Sequence, residues 1–223
     1  MASKEKKVKV LDRCRKIKDA THNSIDSLFD IYDDLKIKRG PATDQQQDLL
    51  RAIIVLGCAG LDSFMKQIVE DGLELVRKNN KKSHKYFIGK TQEILSGNTT
   101  DSIDLKIMSE ILMSGKSDDM LSQKIVSLLT DHSLQNYGEL IEILKAFGLP
   151  EELFKEEKDL IRSLFRSRNN IAHEFDFNFS RTGAGIKQRE QQTREKTFLY
   201  TELIEKIIKV LEHEINNIII SIK

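Results

Sequence analysis

This chain has little of what usually breaks, staples or anchors a fold. Only two of its 223 residues are proline, and proline inside a helix removes a backbone donor and clashes with the preceding turn, so long helices can run unbroken. Its two cysteines, Cys14 and Cys58, lack the spacing of a metal knuckle or a redox pair and fit a reducing compartment. Neither sign of charge dominates: 36 Lys and Arg face 35 Asp and Glu, a net charge of +1. Any nucleic-acid-binding surface therefore has to be a local patch. Aliphatic runs such as Ile218-Ile219-Ile220 fall far short of the ~20 residues of a membrane span. The start, Met1-Ala2-Ser3-Lys4-Glu5-Lys6-Lys7, has no apolar segment behind it of the kind a signal peptide needs. A soluble, cytoplasmic protein with no membrane partner is expected. Gly183-Ala184-Gly185 lacks the lysine and hydroxyl residue of a phosphate loop, and no His, Cys and carboxylate residues stand at zinc spacing. No metal and no cofactor is expected.

What the chain does have is helical periodicity in a composition 39% hydrophobic and 32% charged, globular but heavily solvated. Leu11, Ile17, Ile25, Phe29 and Tyr32 predict a first helix over 5–37. Its start carries Lys4, Lys6, Lys7, Lys9, Arg13, Arg15, Lys16 and Lys18, either a solvated face or an edge that tracks an RNA backbone. Gly40-Pro41 ends it, and Thr43-Asp44-Gln45-Gln46 resembles a capping box opening a second helix over 44–78. That helix carries a wide apolar stripe from Leu50 to Val69. Gly57 and Gly60 sit in its middle at a cost of roughly 1 kcal/mol each against alanine, which close helix packing would explain. Asp62 lies within the same stretch, where a bare carboxylate is expensive unless paired or wet.

Residues 79–148 read as an insertion: a polar loop from Asn79 to Ser83, then short helices at 84–95, 102–114, 118–130 and 134–147. His84 and His132 read as surface or capping histidines. Leu149-Pro150-Glu151-Glu152 predicts a helix start for a helix running through Phe154 and Phe165 to Arg168-Asn169-Asn170-Ile171-Ala172-His173. Residues 174–194 connect it to the last helix. Within them Phe175 to Phe179 alternates as a short strand or extended strap, and 180–194 is a polar loop, a plain linker or a substrate contact. The last helix spans 195–222 with a stripe that includes Phe198, Ile204, Ile208 and Ile219. The sum is a single all-α domain over 1–223, four long helices with inserted short ones.

The stretch ending in His173 carries the chemistry. An arginine offers phosphate a planar, permanently charged fork, and a histidine moves protons near neutral pH. Cutting RNA without a metal needs a base for the 2′-hydroxyl, a cation for the phosphate and an acid for the leaving 5′-oxygen. Arg168 can clamp the phosphate, His173 can be base or acid, and Asn169 can orient either through its amide. The same His173 also reads as a helix-end histidine facing terminal carbonyls. Five steps along an ideal helix turn a side chain by about 140°, so either the helix ends or bulges between Arg168 and His173, or they meet around a rim. One histidine is also half of an acid–base pair. A symmetric dimer would bring two motifs to one cleft.

Arg168-x4-His173, with Asn169 directly after the arginine, resembles the Arg-x4–6-His signature of the HEPN superfamily, and the helix around Leu61-Asp62-Ser63-Phe64 is similar to an early core helix of that family. The resemblance covers the second helix, the motif helix and the last helix, but not 79–148. It implies a four- to five-helix bundle, and for many members metal-independent endoribonuclease activity as symmetric homodimers in phage defence, toxin–antitoxin and stress-response systems. The nearest group is the RiboL-PSP and abortive-infection one. On this resemblance Arg168 binds RNA phosphate, His173 moves the proton and Asn169 positions. Asp62 either lines the cleft or pairs with Arg166 or Arg168. Arg166 also precedes His173 within the permitted spacing, but Ser167 follows it. Arg162 and Arg166 lie one turn apart and widen the phosphate surface or simply solvate the helix. Arg15 and His22 match the bare spacing with Lys16 after the arginine, a chance match. A branch controlled by modification of a tyrosine two residues after the histidine has its counterpart here in Phe175, which lacks the hydroxyl. The expected partners are RNA, a second copy and a cognate antitoxin or defence-system protein. The rival reading is a catalytically inactive dimer serving as an RNA- or protein-binding scaffold.

Overall fold

The computed structural model describes residues 11–35, 42–96, 117–134, 136–176 and 189–221. They form seven α-helices and no strand: α1 (Asp12–Asp34), α2 (Asp44–Asn79), α3 (Lys81–Ser96), α4 (Ser117–Thr130), α5 (Tyr137–Ala146), α6 (Lys158–Glu174) and α7 (Arg194–Ser221). The expected helix at 102–114, the Gly40-Pro41 stop and residues 177–179 of the expected strap lie outside the described residues, as does most of the 180–194 loop.

Helix α2 is the axis of the fold and touches every other described helix. It begins where the sequence predicts. The Thr43 hydroxyl accepts the Gln46 N–H at 3.3 Å, and the Gln46 side chain accepts the Thr43 N–H at 3.0 Å, so two otherwise orphaned donors are satisfied reciprocally. By length and composition α2 could cross a bilayer. Here its apolar stripe is buried in protein instead, with Leu50, Ile53, Ile54, Leu61, Phe64, Ile68, Val69, Leu73 and Val76 fully enclosed. α1, α6 and α7 cover one side, and α3, α4 and α5, the expected insertion, cover the rest.

Both mid-helix glycines stand at close helix crossings. A Cβ on Gly57 would meet the Ile204 methyl of α7 at 2.9 Å, and one on Gly60 would overlap the Thr21 side chain of α1. Lys4, Lys6, Lys7 and Lys9 of the basic start lie outside the described residues, and three of its described basic side chains are engaged within the fold. Arg13 pairs with Asp71, while Arg15 at 3.1 Å and Lys18 at 2.7 Å share Glu212 of α7. For these three side chains the solvated-face reading fits better than an RNA edge.

Two boundaries and one side chain differ from expectation. The polar loop at 79–83 is a single break at Asn80. Its side-chain oxygen accepts the N–H groups of Lys82 and Ser83, so α3 starts three residues earlier than its hydrophobic pattern. Pro150 opens a 3-10 turn (Glu151–Phe154), not the motif helix. Its i→i+3 bonds turn Phe154 fully into the core, and α6 begins only at Lys158. Phe198 is 45% exposed, set edge-on to Phe29 with ring centroids 6.2 Å apart. The α5 terminus is a glycine cap: Gly148 has φ +71 and donates to the Lys145 carbonyl, while Leu149 donates to that of Leu144.

Gly60→Ala replaces a poor helix former by the best one, yet the structure predicts destabilisation by about 1–3 kcal/mol in urea unfolding from the overlap with Thr21. Gly89→Ala in α3, where a Cβ meets nothing within 4 Å, is expected to gain up to about 1 kcal/mol.

Candidate functional site

The motif occupies the last two turns of α6, which runs without interruption to Glu174. No bulge separates Arg168 from His173, so of the alternatives open in the sequence, the two diverge around a rim. With about 100° per residue, Arg162, Arg166, Asn169 and His173 fall within about 60° of one another, and Arg168 points some 140° away from His173. Burial agrees. Arg162, Arg166 and His173 are exposed, whereas Arg168 is half-buried on the side that carries Ile161, Leu164 and Phe165. That side packs on α2. Burial pushes the Cys58 thiol of α2 up to about 12, and the Arg168 charge acts on it in the opposite direction. Arg168 thus lies on the α2 side of the helix.

Arg168 Nη1 donates to the Asn169 side-chain oxygen at 2.9 Å. No carboxylate lies within ion-pair distance of it among the described residues. A half-buried guanidinium without a counter-charge keeps donors available for an anion. Arg162 is loosely paired, 3.9 Å from Asp159, with its guanidinium 6.0 Å from the Tyr137 ring centroid. The side chain of Ser163, between the two arginines, meets the Tyr200 hydroxyl of α7 at 2.7 Å and fixes the helix in rotation.

The chain beyond His173 departs from the expected strand. Phe175 and Asp176 both adopt left-handed backbone, with φ of 50 and 64, so no strand begins there. Left-handed backbone costs a non-glycine residue roughly 1–2 kcal/mol. The Asn170 carbonyl accepts the N–H groups of both residues, closing the helix end. Asp176 is 1% exposed, and Arg51 of α2 is 5% exposed. Arg51 Nε donates to Asp176 Oδ2 at 3.1 Å, Nη2 to the Glu190 carbonyl at 2.7 Å and Nη1 to Asp48 at 3.2 Å. Gln192 Nε2 reaches the same Asp176 oxygen at 2.9 Å, and Gln47 and Gln192 exchange two hydrogen bonds at 2.9 and 2.8 Å. Arg189 donates to the Phe175 carbonyl at 2.9 Å. Asp176 Oδ1 and Gln192 Oε1 are buried without hydrogen-bond partners among the described residues, a cost of about 1–3 kcal/mol per group. The sequence held one signal for this cluster. Arg51 stands on the buried face of α2, between Gln47 and Ile54, where an unpaired charge is costly.

The profile of the family described as RiboL-PSP-HEPN matches residues 13–221. The chain belongs to the RiboL-PSP-HEPN family. No curated protein and no solved structure matches it. The match spans the 79–148 segment, which the resemblance read from the motif left uncovered.

Within this RiboL-PSP-HEPN fold the remaining candidates take other places. Asp62 faces the insertion. Its Oδ1 accepts the Leu134 N–H at 2.7 Å, and its Oδ2 pairs with Lys66 at 3.2 Å. It makes no ion pair with Arg166 or Arg168 among the described residues, which corrects that pairing. The reason is spatial: the loop at 132–134 offers an N–H directly over α2. Asp62 and His132 line a cleft of about 330 Å³ with Tyr86, Lys90 and Glu142. His84 donates its backbone N–H to the Asn80 carbonyl in the first turn of α3. Arg15 and His22 are both engaged elsewhere, His22 with Glu205 at 2.7 Å and Asp26 at 3.2 Å, which fits a chance match. Both cysteines are free and buried. No group of His, Cys, Asp and Glu among the described residues is placed to hold a metal ion.

Removing either partner of the Arg51–Asp176 pair strands a buried charge. Arg51→Ala and Asp176→Ala are each expected to cost about 3–5 kcal/mol in urea unfolding.

Proposed function

We propose that this protein is a HEPN-type endoribonuclease that cuts single-stranded or loop RNA by attack of the 2′-hydroxyl, without needing a metal. The observation that carries the reading is Arg168: a half-buried guanidinium with no carboxylate partner among the described residues, its planar fork braced by Asn169, at the position of the family's signature arginine. Such a group is suited to a phosphate, whose charge it offsets as the transition state forms.

His173, about a turn and a half further and exposed to solvent, exchanges the proton. The 2′-oxygen loses its proton to a base and bonds to phosphorus. The bond from phosphorus to the 5′-oxygen breaks, and an acid returns a proton to that oxygen. The products are a 2′,3′-cyclic phosphate and a 5′-hydroxyl. Unpaired RNA is the substrate because in-line attack needs a flexible backbone, and unstacked bases can be splayed out. The divergence of Arg168 and His173 leaves one chain with half an acid–base pair. A homodimer that places two α6 ends at one cleft supplies the other half. Arg162 and Arg166, on the same face as His173, add positive charge along the path of the strand. The family setting supports a role in phage defence or toxin–antitoxin control, with an antitoxin or defence-system protein as partner, in the cytoplasm.

A second reading, a dimer that binds RNA or protein without cutting, draws on the same divergence, since a single histidine set apart from its arginine is a minimal catalyst.

Incubation of purified protein with total RNA in EDTA tests the proposal. The parent is expected to leave cyclic phosphate ends, and Arg168→Ala and His173→Ala, if folded, to cut at least about 100-fold more slowly. Intact RNA in all three, with or without added metal, contradicts it in favour of the scaffold.

A further inference from the structure

We propose that Arg51 and Asp176 act as a positioning pair for His173: the Arg51 guanidinium fixes where α6 ends, and so where the imidazole in its last turn stands. The proposal rests on the ribonuclease reading for its catalytic consequence, but the positioning itself can be measured without it.

Asp176 stands three residues beyond His173 and connects to it through a short covalent path. Aspartate visits left-handed backbone more readily than most residues, but nothing in the residue type of Phe175 calls for it, and here the two conformations are consecutive. Glycine or asparagine is the usual choice there. Strain of this kind persists only where surrounding contacts over-determine it, and it gathers at functional sites. Here the contacts converge on one guanidinium. Nε takes the Asp176 carboxylate and Nη2 takes the Glu190 carbonyl, while the Glu190 N–H returns to the Asp176 carbonyl at 2.8 Å. The chain leaving the motif helix and the chain returning to α7 are thus tied to one side chain of the central helix. Gln47 and Gln192 brace the returning segment, and Arg189 braces Phe175 through its carbonyl.

A structural ion pair placed anywhere would stabilise or destabilise the whole chain alike. This one closes the last turn of the motif helix. The Asn170 carbonyl, capped by Phe175 and Asp176 together, lies just under a full turn before His173. If the cap loosens, that turn frays and the imidazole is released. Arg168, a turn and a half back and packed on α2 through the body of α6, stays in place. The pair therefore separates catalysis from phosphate binding: it governs His173 and leaves Arg168 alone. Displacement of a catalytic group by about 1 Å is enough to cost on the order of 100-fold in rate.

The test uses the full chain with isotope-labelled histidine, the His173 ring signal being identified by its loss in His173→Ala. Asp176→Asn keeps the side-chain shape and removes the charge, and Arg51→Lys keeps the charge and removes the fork. Asn136→Ala, which removes the side chain that caps α5, controls for lost stability alone. Both pair variants are expected to shift the His173 signal and Asn136→Ala to leave it in place. Cleavage by the pair variants is expected to fall about 10- to 100-fold in kcat with KM held within roughly twofold. An unmoved His173 signal in folded pair variants overturns the proposal. So does a shift that Asn136→Ala reproduces, or a moved signal with unchanged kcat in a parent that cuts RNA. A parent that cuts no RNA, with the signal still shifted by the pair variants alone, upholds the positioning and removes the ribonuclease reading.

Discussion

The need to bury helix α2 governs the whole molecule. A helix of 36 residues with this apolar stripe cannot stand in water, and every other described helix is placed to cover it. Hydrophobic burial is non-directional, so the specificity of the arrangement comes from elsewhere. Gly57 and Gly60 admit α7 and α1 at close range. Arg77 is buried and held between Glu74 and Asp118, with Nη bonds of 2.9 and 2.8 Å that carry α4 onto the end of α2. Asp62 catches the 132–134 loop by a backbone N–H. Charged groups along the stripe thus act as addresses for the elements that pack on it, and the short helices of 79–148 belong to the same core as the long ones.

The same logic reaches the motif. Arg51 is another charged group on the buried part of α2, and its address is the chain beyond α6. The cost of two left-handed residues and two unsatisfied acceptors is set against one guanidinium with three engaged nitrogens. The outcome is a helix end held firmly in a place where a helix would ordinarily fray. The motif then splits into two environments. Arg168 is oriented by packing against α2 and by Asn169, and His173 stands on an exposed stripe with Arg162 and Arg166. That separation makes physical sense for a reaction in which one group binds charge and the other exchanges protons with solvent or a second chain.

The range of each interaction decides how much of this is legible in the sequence. The helices of 44–79 and 194–221, the capping box at Thr43 and the reason for Gly57 and Gly60 are written in local periodicity and spacing, and they read correctly. The Arg168–His173 spacing, its geometry on a helix and the family it indicates are legible too. The single-residue break at Asn80 and the 3-10 turn after Pro150 are not, because the first rests on a local side-chain cap to Lys82 and Ser83 and the second on i→i+3 backbone bonds, neither of which shows in the hydrophobic pattern. The Arg51–Asp176 pair joins residues far apart in sequence, and neither shows its partner. Only the oddity of an arginine on an apolar face hints at it. Asp62 shows the same limit: of the two readings open in the sequence, its pairing with Arg166 or Arg168 gives way to a loop N–H and Lys66.

On the ribonuclease reading, phosphate binds at the end of α6 through Arg168, with His173 around the rim of the same helix end. This binding mode is tested most directly by recording the Arg168 guanidinium and His173 ring resonances of the intact protein while a non-cleavable, 2′-deoxy single strand is added. These two signals are expected to shift together and saturate at one strand concentration, with smaller shifts at Arg162 and Arg166. Binding that moves other surface resonances and leaves Arg168 and His173 untouched would contradict it.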